Sequence, residues 1–528
     1  MRTVFYITIL QFIFIFSNDI YSQVSKKKEK KLYENAILQN NVEGFENFLE
    51  KYPDSEFSFD IRYKKTLMQD SIEVVISTYL GNEKRNFYGN KAPSKLDTLY
   101  KIYLGEGNSP VKGKPKIWKG AGWTGQPLYI REKGTDYLIQ PSFDYNLKKI
   151  EAKTGKIVWE YKFDDILKGS PTLWVNTKAE KIEERYVIIQ GSRLGLGNSV
   201  DSTEIIPSLR AVSYISGKEL WRLNVKRTHS YSRDVDGSAL VWKDTAYLAL
   251  ENGIFTVFSP DVKNAELKDG ILQPKIYKEI QYFNDNDIKT HERDLVSESS
   301  PAYLNDRVFT PAGSGHIYGY NIKTGKNDFD VFTGTDMNGS SPVTDDNCII
   351  VALEKQYVSG QAGVMKLNPQ KPAGEQVEWF FPTENLKWYE WEGGIIGSAS
   401  VNDFYAGENQ RKIAVFIDVC GVLYVVEHNK IENGKKSTSP DGKTEYLMPK
   451  LLFKEQIVGT ISTPIIVEDK IIAATDKGIY LYKINLQENK LELLDKTKPL
   501  EIDSTPIAVD GKVYIACRNG YLYCFGEK

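Results

Sequence analysis

A chain of 528 residues with 41% hydrophobic and 12% aromatic residues has ample material for a large core. Its 68 Lys and Arg against 70 Asp and Glu leave a formal charge of −2. That balance argues against a general polyanion binder, and nothing in the chain reads as a nucleic-acid module.

Met1 to Gln23 carries Arg2, runs apolar from Val4 to Phe16 and turns polar at Ser17-Asn18-Asp19. The apolar run falls short of the roughly 20 residues that a spanning helix needs, and suits a secretory signal (residues 1–23) cleaved after Ser22. The first cysteine is Cys348, so no lipid-attachment cysteine follows the signal. The expectation is a periplasmic or secreted monomer with no transmembrane helix in the mature chain.

Residues 24–90 differ in kind from the rest of the chain. After the charged lead-in Lys26 to Lys31, Leu32, Ala36, Phe45, Phe48 and Leu49 fall at helical spacing. Phe48 to Ser55 looks like the end of one helix and the start of the next in tetratricopeptide-type repeats. The spacing predicts a small helical domain over 24–90, and glycine and proline mark a linker over 91–113.

From residue 114 to 528 one unit recurs, seen most fully in Tyr145 to Pro171: strand, Lys-Thr-Gly-Lys turn, strand with Trp159, polar loop, Ser-Pro. Two marks track it. The first is a large side chain after the turn, at Trp159, Trp221 and Phe329, with weaker equivalents at Trp118, Tyr277, Trp379, Phe453 and Leu494. The second is a small residue, then Ser, Thr or Gln, then Pro or Ala, as in Gly169-Ser170-Pro171 and Ser462-Thr463-Pro464. Each mark occurs eight times. Short apolar runs with turn signals follow each Ser-Pro, such as Val513 to Cys517 and Tyr521 to Phe525 around Asn519-Gly520. Four short strands per repeat of roughly 40 residues describe a propeller blade. The last blade stops after its third strand, so Lys116-Ile117-Trp118 is expected to close it as the outer strand. The fold expected is all-β, an eight-bladed β-propeller closed by an N-terminal outer strand and preceded by a small α-helical domain.

The Gly-Lys-x-x-Trp signature followed by Ser-Pro resembles the pyrroloquinoline-quinone-type propeller repeat, over about residues 114 to 526. That family includes quinoprotein dehydrogenases and non-enzymatic relatives such as the propeller lipoprotein of outer-membrane barrel assembly. The resemblance implies the fold; the marks are structural, so it leaves function open between a scaffold and a quinone (PQQ) dehydrogenase. Family quinoproteins hold the cofactor on a tryptophan floor, beneath a disulfide of adjacent cysteines, beside calcium. This chain has no Cys-Cys pair, and only Trp391 offers itself as a floor. No cofactor is therefore expected, with PQQ plus calcium as the alternative.

In this strand order, the loop entering each blade and the loop between its second and third strands share one face. Entering blade three are His229, Tyr231, Arg233, Asp234 and Asp236; entering blade four are His291, Arg293 and Asp294, followed by Glu298. Trp391 and Glu392 precede blade six, and Trp123 and Asp336 enter blades one and five. Gly191 to Ser208 is a long insertion on the same face. Aromatic, guanidinium and carboxylate groups together suit a polar small molecule or saccharide, or an envelope protein. Alternatively, Arg233, Asp234, Arg293 and Asp294 brace neighbouring loops. Asp234-Val235-Asp236-Gly237 lacks the downstream carboxylate of a calcium loop, so no metal is expected. Gly-x-Ser-x-Gly and His-Glu-x-x-His motifs are absent, leaving paired carboxylates such as Glu292 and Glu298 as the other catalytic option. Cys517 and Cys524 are expected on adjacent strands, Cys517 facing Leu522, as free thiols.

Overall fold

The computed structural model describes residues 26–122, 124–356, 358–384 and 386–528. The expected signal segment and Trp123 lie outside the described residues. Two compact units divide the chain, one of residues 1–73 with 132–134, the other of 74–131 with 135–528.

The first unit is helical, with helices over residues 26–39, Val42–Lys51 and Ser58–Asp70. Asn41 caps the second by accepting from the Gly44 amide at 2.7 Å. Ala36, Phe45, Phe48 and Ile61 form its buried core, and Tyr33 stacks on Phe57 with centroids 4.4 Å apart. Ala36, Phe45 and Phe48 belong to the helical spacing in the sequence.

The second unit is an eight-bladed β-propeller of antiparallel sheets. Seven blades run in order through residues 128–162, 172–223, 240–281, 302–332, 343–382, 400–456 and 465–496. The eighth combines Ile507–Val509, Lys512–Ala516 and Tyr521–Gly526 with Asp97–Tyr103 as its outer strand. Closure by an N-terminal strand thus holds, but the strand is Asp97–Tyr103 rather than Lys116-Ile117-Trp118. The longer strand pairs from Asp97↔Gly526 to Tyr103↔Tyr521, whereas Ile117–Lys119 is only three residues long and pairs with Glu106–Asn108. Trp118 instead packs edge-on against Phe143, beneath the Arg518 guanidinium.

Every outer strand carries a bulge, and the residue after it points toward the next blade. In blades one, two, four, five and six these residues are Trp159, Trp221, Phe329, Trp379 and Phe453, as the first mark predicts. Tyr277 and Leu494 fall in the bulges themselves, so Lys278 and Asp495 take the position in blades three and seven, and Tyr100 takes it in blade eight.

The second mark has a hydrogen-bonding reason. At several boundaries the amide of the marked residue donates to the hydroxyl of its counterpart in the next blade: Gln126 to Ser170, Ser238 to Ser300 and Ser398 to Thr463, at 2.8–2.9 Å. Blade five is shifted by one, because Ser340 rather than Ser341 accepts from Ser300 and donates to Ser398.

Residues 77–91 fill the channel on the side of the turns between first and second strands. They bond to the first strands all round the ring: Ser77 to Leu173, Leu80 to Gln126, Glu83 to Tyr303, Lys84 to Val343, Tyr88 to Val401 and Ala508. Tyr79 reaches Thr463 and Thr505. At the centre is Arg85, 0% exposed, bonding the carbonyls of Pro301, Tyr79 and Ser238 and the hydroxyl of Thr78. This plug spans residues that the sequence pattern divides between helical domain and linker.

In the last blade Cys517 is opposite Tyr521 through its amide, and Ala516, not Cys517, pairs with Leu522. The turn is longer than Asn519-Gly520 alone, which moves the register by one.

Candidate functional site

The site is built at the other end of the channel by one position of the repeat. Immediately before each blade's small-hydroxyl pair comes one residue at the channel mouth: Lys168, Asp236, Glu298, Asn338 and Asp503 in blades two, three, four, five and eight. In blades six and seven it is Ile396 and Ile461, so the polar character is confined to part of the ring. Loops between second and third strands add Arg193, Glu251, Glu354 and Gln356.

Two clusters result. In the first, the Lys168 ammonium is 2.5 Å from Asp236 and 3.6 Å from Asp234, and Asp234 also accepts from Arg193 Nε at 3.1 Å. Carboxylate oxygens of Asp236, Glu251 and Glu298 lie within 4.8 Å of one another. In the second, Glu298, Asp336 and Glu354 have no ion-pair partner among the described residues. Asn338 donates to Glu354 at 2.8 Å, Gln356 donates to Asp294 at 3.1 Å, and Asp336 accepts from the Met337 amide at 2.6 Å. A hairpin arm of blade six, Val422–Thr438 with Glu445–Gln456, steadies this region: its Pro440 carbonyl accepts from Gly360, in the loop that carries Glu354.

Burial and mutual repulsion favour the protonated forms of Glu298, Asp336, Glu251 and Glu354. Desolvation first, then neighbouring carboxylates, push Glu298 up to about 8 against the pull of Lys168, and Asp336, beside Asp294, up to about 7. Glu251 and Glu354 are raised well above the usual range for the same reasons. Lys168, although desolvated, is kept charged by Asp236, Glu251, Asp234 and Glu298.

The residues expected from sequence separate. Tyr231, Asp234, Asp236, Asp294, Glu298 and Asp336 come together at the mouth. Tyr231 is 48% exposed, and its phenol is raised by desolvation and then by the charges of Glu298, Asp294, Glu251 and Asp336. Trp391 stacks on Trp388, centroids 5.5 Å apart, across a tight turn whose strands pair backbone to backbone. That turn adjoins Glu354, because Lys355 donates to Gly393, and Glu392 is exposed beside it. Arg233 is a brace: buried, it bonds the carbonyls of Val225, Ser202 and Glu204. Arg293 forms a two-pronged pair with Asp201 and bonds the His229 carbonyl, tying the Gly191 to Ser208 insertion to blades three and four. His229 is exposed, and His291 is buried at the end of the helix Asp285–His291, its pKa lowered by desolvation. Lys168, Arg193, Glu251, Glu354, Asn338 and Gln356 are members of the site that the sequence pattern did not single out. Lys168 was visible as the position preceding the Ser mark, whereas Asn338 takes that place only through the one-residue shift of blade five.

Pyrroloquinoline quinone, which the resemblance implies, does not fit these residues. Cys348, Cys420, Cys517 and Cys524 are all free thiols, so no disulfide lid is formed. One face of Trp391 is taken by Trp388. A tricarboxylate would also meet a mouth where carboxylates outnumber Lys168 and Arg193. Asp236, Glu251 and Glu298 suit a cation such as calcium by donor type, and the Lys168 ammonium already lies against Asp236.

The fold and mouth together define a plugged eight-bladed propeller with an acidic well. No family model matches the chain, and no curated protein does. Among solved structures it is similar to BamB from Moraxella catarrhalis, at 11% identity and a TM-score of 0.50, covering 82% of this chain and 100% of that one. It is similar also to a europium-containing methanol dehydrogenase, at 11% identity and a TM-score of 0.53, covering 88% and 100%. The fold is that of the pyrroloquinoline-quinone-type propellers.

Proposed function

We propose that the chain is an exported propeller acting as a binding module in the cell envelope. Its acidic well holds a ligand, or the docking segment of an envelope protein, through the loops entering blades three, four and six. One observation carries this reading: buried acceptor atoms at the mouth lack donors. Glu251 Oε1, Asn338 Oδ1 and Gln356 Oε1 accept no hydrogen bond among the described residues. Buried polar atoms are nearly always satisfied, so a set left open at the end of a plugged channel marks a site completed by a bound group. The backbone braces at Arg233 and Arg293 hold the loops in place without it.

The test is a thermal-shift panel on the full chain and on Glu354→Gln, with saccharides, amines, divalent cations and quinone plus calcium. A ligand at a hundred times its Kd adds about 2.7 kcal/mol. The reading requires at least one ligand, or one captured envelope protein, whose effect is lost in Glu354→Gln. Binding that is indifferent to this substitution, or stabilisation by the quinone, would overturn it.

A further inference from the structure

The orphaned side-chain atoms of Asn338 and Gln356 at the mouth, Oδ1 and Oε1, are acceptors. The missing partner is therefore a donor or a cation. Glu251, Asp336 and Glu354 are 2%, 4% and 5% exposed, so a group that meets them does so out of bulk water, where an unpaired acceptor is most costly.

A single metal ion matches the spread of these groups poorly. Only Asp236, Glu251 and Glu298 converge closely enough to share one ion among the described residues, and an ammonium, that of Lys168, already stands against Asp236. Asp336 and Glu354 lie outside that convergence, and neither has an ion-pair partner among the described residues, whereas Glu298 lies in the field of Lys168. The chain thus neutralises one half of the well with its own ammonium and leaves the other half without one.

The rim adds a second preference. Tyr231, whose amide donates to the Arg293 carbonyl, is half exposed next to the loop that carries Asp294, and the Trp388–Trp391 stack adjoins Glu354. Aromatic faces beside carboxylates favour an organic cation, whose methylene groups pack on the rings while its ammonium meets both the π-face and the acids. A hydrated metal ion gains little from such a rim.

Resting on the reading of the mouth as the ligand site, we infer that the well takes an aliphatic amine carrying two or more ammonium groups, one seated by Asp336 and Glu354, whose backbones are joined by a 3.0 Å hydrogen bond, beside the Trp391 rim. Lys168 marks the kind of group the neighbouring half already accepts. N–H donors would satisfy Asn338 Oδ1 and Gln356 Oε1, which a saccharide hydroxyl could also reach, but only the cation balances the carboxylates.

Isothermal titration of the full chain with spermidine, at pH 7.5 and low salt, tests this, with Glu354→Gln, Asp336→Asn and Trp391→Leu as variants and melting curves to verify folding. The expected result is saturable binding, weakened at least tenfold in each folded variant, and no binding of the fully N-acetylated amine. Trp391→Leu lies on the rim, so it keeps the test alive if a buried acid variant fails to fold. Calcium binding with spermidine silent would overturn the inference in favour of a metal well. Spermidine binding equally to all variants would overturn it by placing the amine elsewhere. If spermidine is silent while another ligand of the panel is lost in Glu354→Gln, the amine falls and the mouth stands as a site. If Glu354→Gln alters nothing, both fall.

Discussion

The Trp221 indole nitrogen donates to the Pro260 carbonyl at 2.9 Å, across the boundary between blades two and three. The same bond recurs from Trp159 to Tyr214, just past the third strand of blade two, and from Trp379 to His428, within the long third strand of blade six. At the seam of the ring Tyr100 does the equivalent, its hydroxyl donating to the Ala152 carbonyl. The aromatic mark of the repeat is thus both wedge and latch. The ring closes because the N-terminal strand brings its own latch residue.

Replacing the latch nitrogen while keeping the ring should isolate the hydrogen bond. Trp221→Phe removes the donor and part of a fully buried side chain, leaving the Pro260 carbonyl unpaired, and is expected to destabilise by about 1–3 kcal/mol. Tyr100→Phe, which loses only the hydroxyl, should cost less, about 0.5–1.5 kcal/mol. Urea denaturation midpoints measure both. Equal effects from the two would mean that the hydrogen bond alone, and not the lost packing volume, decides the boundary.

Gly217 is the glycine of the turn that receives Trp159. It has φ of +69°, and a Cβ there would lie 2.8 Å from the Trp159 ring. Gly217→Ala therefore combines a left-handed backbone with a clash against the preceding blade, and a loss of about 1–3 kcal/mol is expected. Gly134→Ala is the control, with φ of +80° and open space around the added methyl. If the two variants melt alike, backbone strain alone explains the turn glycine.

Much of this fold is legible in the residues because each mark has a single physical duty. Ser398 and Thr463 recur to accept a neighbour's amide, and Trp159 and Trp221 to latch a boundary. The closing strand escapes the pattern because Lys116-Ile117-Trp118 imitates the mark, whereas Asp97–Tyr103 carries its latch as a tyrosine with no glycine turn before it. The plug could not be read at all: Arg85 has no local pattern, and its partners Ser238 and Pro301 are distant in sequence. Of the site, the entering loops gave Asp236, Glu298 and Asp336, but Arg233 and Arg293 look the same in sequence whether they brace or bind. Glu251 and Glu354 sit in second-to-third-strand loops of ordinary composition, where only the ring brings them inward.

Arg85 should be the most sensitive residue of the plug. Burial lowers its pKa to about 9, yet its nitrogens are bonded to Pro301, Tyr79, Ser238 and Thr78. Arg85→Met keeps much of the volume but strands several buried acceptors, each worth about 1–3 kcal/mol when left unpaired. Limited proteolysis is expected to cut the variant within residues 77–91 under conditions in which the parent chain is intact. A variant as protease-resistant and as stable as the parent would show that the plug is held by Tyr79 and Tyr88 instead.

The acidic well should make stability fall as pH rises. Glu298, normally near 4.5, titrates at about 8, and Asp336, normally near 3.8, at about 7, both chiefly through desolvation. A carboxyl whose folded pKa is raised keeps its proton where the unfolded chain has released it. Its stabilising contribution is complete below the unfolded pKa and is lost as pH climbs through 7 and 8, at no more than about 1.4 kcal/mol per pH unit for each proton. Carboxylates with lowered pKa, such as Glu219 beside Arg222 and Asp346 beside Lys366, have gained their full contribution before pH 5 and do not oppose the trend. Lys168 stays charged throughout. Melting temperature is therefore expected to decline from pH 5 to pH 9, and the double variant Glu298→Gln with Asp336→Asn to flatten the decline. A profile that is level or rising over that range, or one unchanged in the double variant, would place the protons elsewhere.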